Sequence, residues 1–172
     1  MPYPRTKLHA ERCKQRASIH LRRWAWAYAL LAAGLLLLQQ CFTLGINTSP
    51  SLPHRLYVIL KQSHPVKGAL VAFRWHGGGP YRPGVTFVKI LAGIPGDTVT
   101  RIDRDFFVNG RPVGTAKPRS RSGAPMHLGP QGILPPGLYY VYAPHPDSLD
   151  SRYALTGWIA QPQIIGRAYA IF

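Results

Sequence analysis

Thr86-Phe87-Val88-Lys89-Ile90-Leu91-Ala92, closed by Gly93-Ile94-Pro95-Gly96-Asp97, reads as a β-strand running into a tight turn. Aromatic and β-branched residues fit a pleated, half-buried surface, and glycine and proline end such a run. Lys89 is the odd member. A lysine's ordinary pKa is about 10.4, so it is almost wholly charged at neutral pH. Burial disfavours that charge, and a neutral amine is a base. Lowering the pKa by about 3 units needs ~4 kcal/mol of differential destabilisation, which burial is able to supply. The plainer alternative is a lysine whose stem crosses apolar surface while its head reaches water.

On either side of this run the same pattern repeats. Leu56–Leu60, Gly68–Phe73, Val85–Leu91, Thr98–Ile102, Phe106–Val108, Gly137–Tyr142 and Ile164–Phe172 are short β-prone runs separated by glycine and proline. Asn109-Gly110 marks a hairpin before Arg111-Pro112-Val113, because a type I′ turn needs two residues that tolerate positive φ. Arg74–Gly84 and Thr115–Pro136 read as loops. No internal repeat and no long helical periodicity occurs here. The expectation is a mostly β fold: a single antiparallel domain of about 125 residues, enough to hold together by its own core.

The N-terminal part differs. Met1 to Arg23 carries Arg5, Lys7, Arg12, Lys14, Arg16, Arg22 and Arg23 against the single acid Glu11. Trp24 to Leu38 is then apolar throughout. Gln39 and Gln40 interrupt it, and Cys41-Phe42-Thr43-Leu44-Gly45-Ile46 continues. Trp24 to Ile46 is long enough to cross about 30 Å of hydrocarbon. Trp24, Trp26 and Tyr28 lie at the end where interfacial aromatics belong, and the positive-inside rule keeps the basic flank in the cytoplasm. A cleaved secretory signal would need a small-x-small site, which Leu38-Gln39-Gln40-Cys41 does not supply. The expected organisation is a basic cytoplasmic segment (1–23), one N-terminal transmembrane helix as anchor (24–46) and an exported domain (47–172). Cys13 and Cys41 fall on opposite ends of the span and are not expected to pair. The exported part has no cysteine.

The formal charge of +15 on 172 residues invites a nucleic-acid reading. That reading expects a continuous basic face with aromatics for stacking. The Lys and Arg beyond the span are scattered instead, with Lys117, Arg119 and Arg121 the densest group. Attraction of an anchored protein to anionic lipid head groups is the simpler account. No nucleic-acid partner is expected.

Acid content narrows the chemistry. Beyond the span the acids are Asp97, Asp103, Asp105, Asp147 and Asp150, with no glutamate. Paired-carboxylate glycoside chemistry is poorly supplied. His54, His64, His76, His127 and His145 are dispersed, without an HExxH pattern or cysteine partners, so neither metal nor cofactor is expected. Nucleophilic catalysis remains. Asn47-Thr48-Ser49-Pro50-Ser51-Leu52-Pro53 follows the apolar segment directly, and its prolines fix the backbone on both sides of Ser51. A serine hydroxyl needs a neighbouring base to become a nucleophile. In Pro144-His145-Pro146-Asp147-Ser148-Leu149-Asp150-Ser151-Arg152-Tyr153, Asp150 and Arg152 are spaced for an ion pair that holds a loop. His145 with Asp147 or Asp150 also permits a Ser-His-Asp arrangement.

Five segments in this order, namely Ser-Leu-Pro (51–53), Phe-Val-Lys-Ile-Leu-Ala-Gly-Ile-Pro-Gly-Asp (87–97), Val-Asn-Gly (108–110), Leu-Pro-Pro-Gly-Leu-Tyr-Tyr (134–140) and Asp-Ser-Leu-Asp-Ser-Arg-Tyr (147–153), resemble the type I signal peptidase superfamily. Asn47–Pro53 and His145–Tyr153 are most similar to the TraF-type conjugative-transfer peptidases. The resemblance covers Asn47 to Phe172 and implies an antiparallel β domain of signal-peptidase type. It implies Ser51 as nucleophile and Lys89 as general base of a Ser-Lys dyad. It places Ser49 where a side chain donates to the oxyanion, Asp150 where the subfamily needs an acid, and Ser148 and Arg152 as supporting neighbours. Two departures stand out: the family's Gly-Asp after the first strand reads Gly68-Ala69, and its Gly-Asp-Asn-Arg-Asp-Asn run is replaced by Ala143–Asp147. The expected activity is that of an inner-membrane serine endopeptidase with its domain in the periplasm. The expected substrate is a membrane-bound pilin precursor, processed and cyclised or simply hydrolysed, alongside a conjugative secretion apparatus. The alternatives are a general leader peptidase and, in another class, a non-catalytic anchored scaffold of a secretion apparatus.

Overall fold

The computed structural model describes residues 5–171, and for residues 5–10, 12 and 13 the backbone alone. The strand end at Phe172 lies outside the described residues, as do the side chains of Arg5, Lys7 and Arg12 in the expected basic flank and of Cys13, expected to be unpaired. The chain divides into two compact units, Met1–Gln40 and Cys41–Phe172.

The first unit is helical. Helix α1 spans Arg5–Cys41. Alanine and leucine dominate its apolar half, and both are strong helix formers. Leu30, Leu36 and Leu37 are exposed together with Trp24, Trp26 and Tyr28. From Lys14 to Cys41 it is long and apolar enough to cross a membrane. The helix stops earlier than the hydropathy of the sequence implies. Phe42–Ile46, expected to complete the span, is strand β1. Phe42, Thr43 and Ile46 favour a pleated chain, and the segment gains a five-residue antiparallel ladder with β2 (Leu56–Lys61). Backbone hydrogen bonds to a neighbouring strand outweigh continuation of the helix past Gln39-Gln40.

The second unit is antiparallel throughout its named pairings. Strands β3 (Leu70–Arg74), β4 (Thr86–Gly93), β5 (Thr98–Ile102), β6 (Asp105–Val108), β7 (Arg111–Thr115), β8 (Gly132–Ile133), β9 (Leu138–Tyr142), β10 (Ile159–Ala160) and β11 (Ile164–Ala170) follow in sequence. Seven form one sheet in the order β1-β2-β11-β3-β4-β9-β10, and four form a second in the order β7-β6-β5-β8. All seven β-prone runs of the sequence are strands. Asn109 (φ 50°) and Gly110 (φ 75°) join β6 to β7, as a type I′ turn requires. The expected loop Thr115–Pro136 is shorter than the sequence implies, since Thr115 ends β7 and β8 pairs with β5 through Thr98 and Ile133.

Period-2 alternation along β4 places the candidate base. Phe87 and Leu91 pack into a core with Val71, Phe73, Trp75, Val141 and Ile159. Val88 and Ile90 pack on the other face, against a core that holds Leu52, Tyr57 and Ile59. Lys89 lies between Phe87 and Leu91 on the first face and opposite Val71 on β3. The strand thus carries its amine into an apolar layer.

Candidate active site

A cleft of about 350 Å³ opens beside β1 and β4, and its wall includes Ser49, Ser51, Lys89, His145, Asp147 and Ser148. The turn after β1 brings the two serines there. Asn47 closes that turn: its backbone N–H donates to the Arg55 carbonyl at 2.8 Å. Leu52 anchors the next step by inserting into the core beside Tyr57 and Ile59. Ser51 is 7% exposed, so its hydroxyl is presented from a buried position. Ser49 Oγ lies 2.9 Å from Ser51 Oγ.

Lys89 is 4% exposed, and its Nζ donates to Ser148 Oγ at 2.8 Å. Burial pushes its amine down to about 8; the charge of Asp150, which raises it, is opposed by Arg152. At pH 7 a pKa of about 8 leaves roughly a tenth of the molecules with a neutral amine, against a fraction near zero for an ordinary lysine. The snorkelling alternative fails, because the ammonium end is buried with a serine hydroxyl as its hydrogen-bond partner.

Asp150 and Arg152 sit behind the wall. Arg152 Nε and Nη2 each donate to the Asp150 carboxylate at 2.8 Å. Asp150 is 0% exposed and also accepts from the Ala143 amide at 3.1 Å. Arg152 donates further to the carbonyls of Thr115 (3.1 Å), Ala143 (3.2 Å) and His145 (3.3 Å). One guanidinium thereby ties the end of β7, the end of β9 and the loop that carries Ser148. Gly129 explains how closely the next segment approaches: a Cβ there would lie 2.2 Å from the Ser151 carbonyl oxygen. Asp150 makes no hydrogen bond to Ser51 or Lys89. It reaches the amine only through its charge. Replacing Arg152 by methionine is expected to destabilise the domain by about 3–5 kcal/mol, because the Asp150 carboxylate is left buried and unpaired. Chemical denaturation followed by circular dichroism checks this.

A Ser-His-Asp reading finds its parts in the cleft but not their connections. His145 Nδ1 accepts from the Asp147 backbone amide at 3.1 Å, so no carboxylate orients the ring through that nitrogen. The Asp147 carboxylate is taken by Lys117, with Arg121 Nε at 3.4 Å. Those cations hold its pKa below the usual carboxylate value, Lys117 first. Asp150 is committed to Arg152. The sequence brings the right residue types into one segment but does not show which carboxylate serves which cation.

Ser51 and Lys89 line the same cleft, and among the described residues no hydrogen bond joins them. Lys89 is held by Ser148, and Ser51 by Ser49. Asn47 is a member of the site that sequence reasoning leaves without a role. Its Oδ1 accepts from the Ser49 amide at 3.1 Å and from the Ser49 hydroxyl at 2.9 Å. The signal available is the Asn47–Ser49 spacing, since asparagine bonds its own backbone two residues on in an Asx-turn.

A serine hydroxyl and a buried amine on one open cleft of an antiparallel β domain are the equipment of a Ser-Lys peptidase. Comparison with known proteins gives the family. Residues 19–172 match the family described as signal peptidase, peptidase S26. A signal peptidase I of Pseudomonas fluorescens is 25% identical, the match covering 66% of this chain and 51% of that protein. The chain thus spans about half the length of this curated relative. Among solved structures, the crystal structure of a signal peptidase I from Enterococcus faecalis V583 is similar at 23% identity and a TM-score of 0.40, over 61% of this chain and 97% of that one. The chain belongs to the signal peptidase S26 family.

Proposed function

We propose that the chain is a serine endopeptidase anchored in the bacterial inner membrane by α1, with Ser51 as nucleophile and Lys89 as general base. The observation that carries this reading is the burial of the Lys89 amine in the cleft that holds the Ser51 hydroxyl. In the reaction, the Ser51 O–H turns from Ser49 to the lone pair of neutral Lys89. The Ser51 oxygen bonds the scissile carbonyl carbon, the proton passes through Lys89 to the leaving amine, and an acyl-enzyme results. The Ser49 hydroxyl and the Ser51 backbone N–H donate to the oxyanion; one such donor is worth about 3–4 kcal/mol in related acyl-transfer sites. Ser148 holds the amine, and the Asp150–Arg152 pair holds the loop that carries Ser148.

The substrate in this reading is the precursor of a small membrane protein of the conjugative pilin type. Asn47–Pro53 and His145–Tyr153 support it by their resemblance to the conjugative-transfer peptidases. Water resolves the acyl-enzyme to a linear product, or the substrate's own amino terminus resolves it to a cyclic one. The basic flank and the apolar length of α1 support a periplasmic position for the domain, against anionic lipid and within reach of a conjugative secretion apparatus. The family and the Pseudomonas relative favour a second substrate range, that of a general leader peptidase acting on many exported precursors. Incubating the full chain in detergent with a pilin precursor and with a secretory precursor bearing a small-x-small site separates the two. Pilin-specific cleavage supports the first reading, and cleavage of both supports the second. Mass spectrometry of the pilin product identifies cyclisation, which leaves it one water lighter than the linear form.

A further inference from the structure

The hydroxyl contact between Ser49 and Ser51 has a direction, and Asn47 fixes it. Asn47 Nδ2 lies 3.3 Å from the Leu52 carbonyl oxygen and 3.1 Å from the His54 carbonyl oxygen. Carbonyl oxygens only accept, so the amide NH2 faces them and Oδ1 faces Ser49. Oδ1 also only accepts. The Ser49 hydroxyl, with a single proton, therefore donates it to Asn47 at 2.9 Å. In the 2.9 Å contact between the two serines, Ser49 has no proton left, and Ser51 is the donor. The proton that must leave Ser51 during catalysis thus points at Ser49, while Lys89 donates to Ser148.

We infer that Asn47 is a positioning residue that sets the polarity of the Ser49–Ser51 pair. It holds the Ser49 hydroxyl as an acceptor for the Ser51 proton before substrate binds. It also fixes Ser49 at the place from which that hydroxyl serves the oxyanion. The inference rests on the Ser-Lys reading above. When substrate binds, two protons turn: that of Ser51 swings to Lys89, and that of Ser49 swings from Asn47 toward the oxyanion. Asn47 stands in the wall of the same cleft and acts on the Ser51 hydroxyl through Ser49.

Cleavage of a synthetic peptide tests this. The peptide spans the processing site of whichever of the two precursors the wild-type chain processes, and the variants are made in the full chain. Removing one oxyanion donor costs about 10²–10³ in kcat, the loss expected for Ser49→Ala. Asn47→Ala is expected to lower kcat by at least tenfold with KM unchanged. In the Ser49→Ala background it is expected to cost nothing further, because residues acting as one unit are non-additive. Losses that multiply in the double variant, or an Asn47→Ala effect confined to KM, overturn the inference. Asn47→Asp is the second variant: it keeps an acceptor for Ser49 and loses both donors to the Leu52 and His54 carbonyls. It is expected to retain at least ten times the kcat of Asn47→Ala. Equal loss in both variants makes Asn47 a loop anchor and overturns the inference even if the alanine variant fails to fold. These failures are separable from failure of the reading beneath them, since Ser51→Ala remains inactive in each. Cleavage by Ser51→Ala, or no cleavage of either precursor by the wild type, overturns both.

Discussion

Replacing Ser51 by alanine is expected to abolish precursor processing, with a loss of about 10⁴–10⁶ in kcat, the scale seen when a serine nucleophile is removed. The side chain is small and 7% exposed, its neighbours are the Ser49 hydroxyl and the edge of the cleft, and Leu52 rather than Ser51 anchors the turn in the core. The substitution removes one oxygen and leaves the packing in place. A folded, inactive protein is therefore the outcome, checked by denaturation alongside the assay. The separation of activity from stability is what distinguishes an enzyme from a scaffold. A non-catalytic domain has no processing to lose, and its partners would be indifferent to one buried hydroxyl.

Lys89→Met has the second-largest expected effect, a loss of about 10²–10⁴ in kcat, the usual contribution of a positioned base. Methionine is unbranched like lysine and fills the same slot between Phe87 and Leu91. It also removes a group whose charged form is penalised by burial. The variant is expected to be at least as resistant to denaturant as the wild type at neutral pH. Reduced activity with retained stability marks a residue kept for chemistry. The competing histidine mechanism predicts the reverse pattern, with Lys89→Met active and His145→Ala dead. The geometry weighs against that outcome, because Asp147 is bound by Lys117 and Asp150 by Arg152, leaving no carboxylate to orient the ring.

The features legible in the sequence are those set by local periodicity. The strand around Lys89 is readable because apolar residues flank the charge at i±2, which in a pleated strand puts all three on one face. The Asn109-Gly110 hairpin is readable because few residue pairs tolerate positive φ twice. The Asp150–Arg152 pair is readable from its spacing, although its reach to Thr115, Ala143 and His145 is not. Phe42–Ile46 is misleading because hydropathy does not distinguish the end of an apolar helix from an apolar edge strand. What decides is the ladder with Leu56–Lys61, a contact that hydropathy does not register. The meeting of Ser51 and Lys89 in one cleft depends on the order of strands in the larger sheet. Only the resemblance to a family points to it, not the residues themselves. Asn47 escapes notice because an asparagine in a polar turn has many ordinary uses.

The central claim is that a buried, readily deprotonated Lys89 activates Ser51. The pH dependence of kcat/KM tests it most directly, since that ratio reports the ionisations of the free enzyme. A base works only when deprotonated, so activity rises with pH through the base's own pKa. The account predicts a single rising limb centred at about 8, the position to which burial pushes Lys89. A limb unchanged in Lys89→Met and abolished in His145→Ala would contradict it.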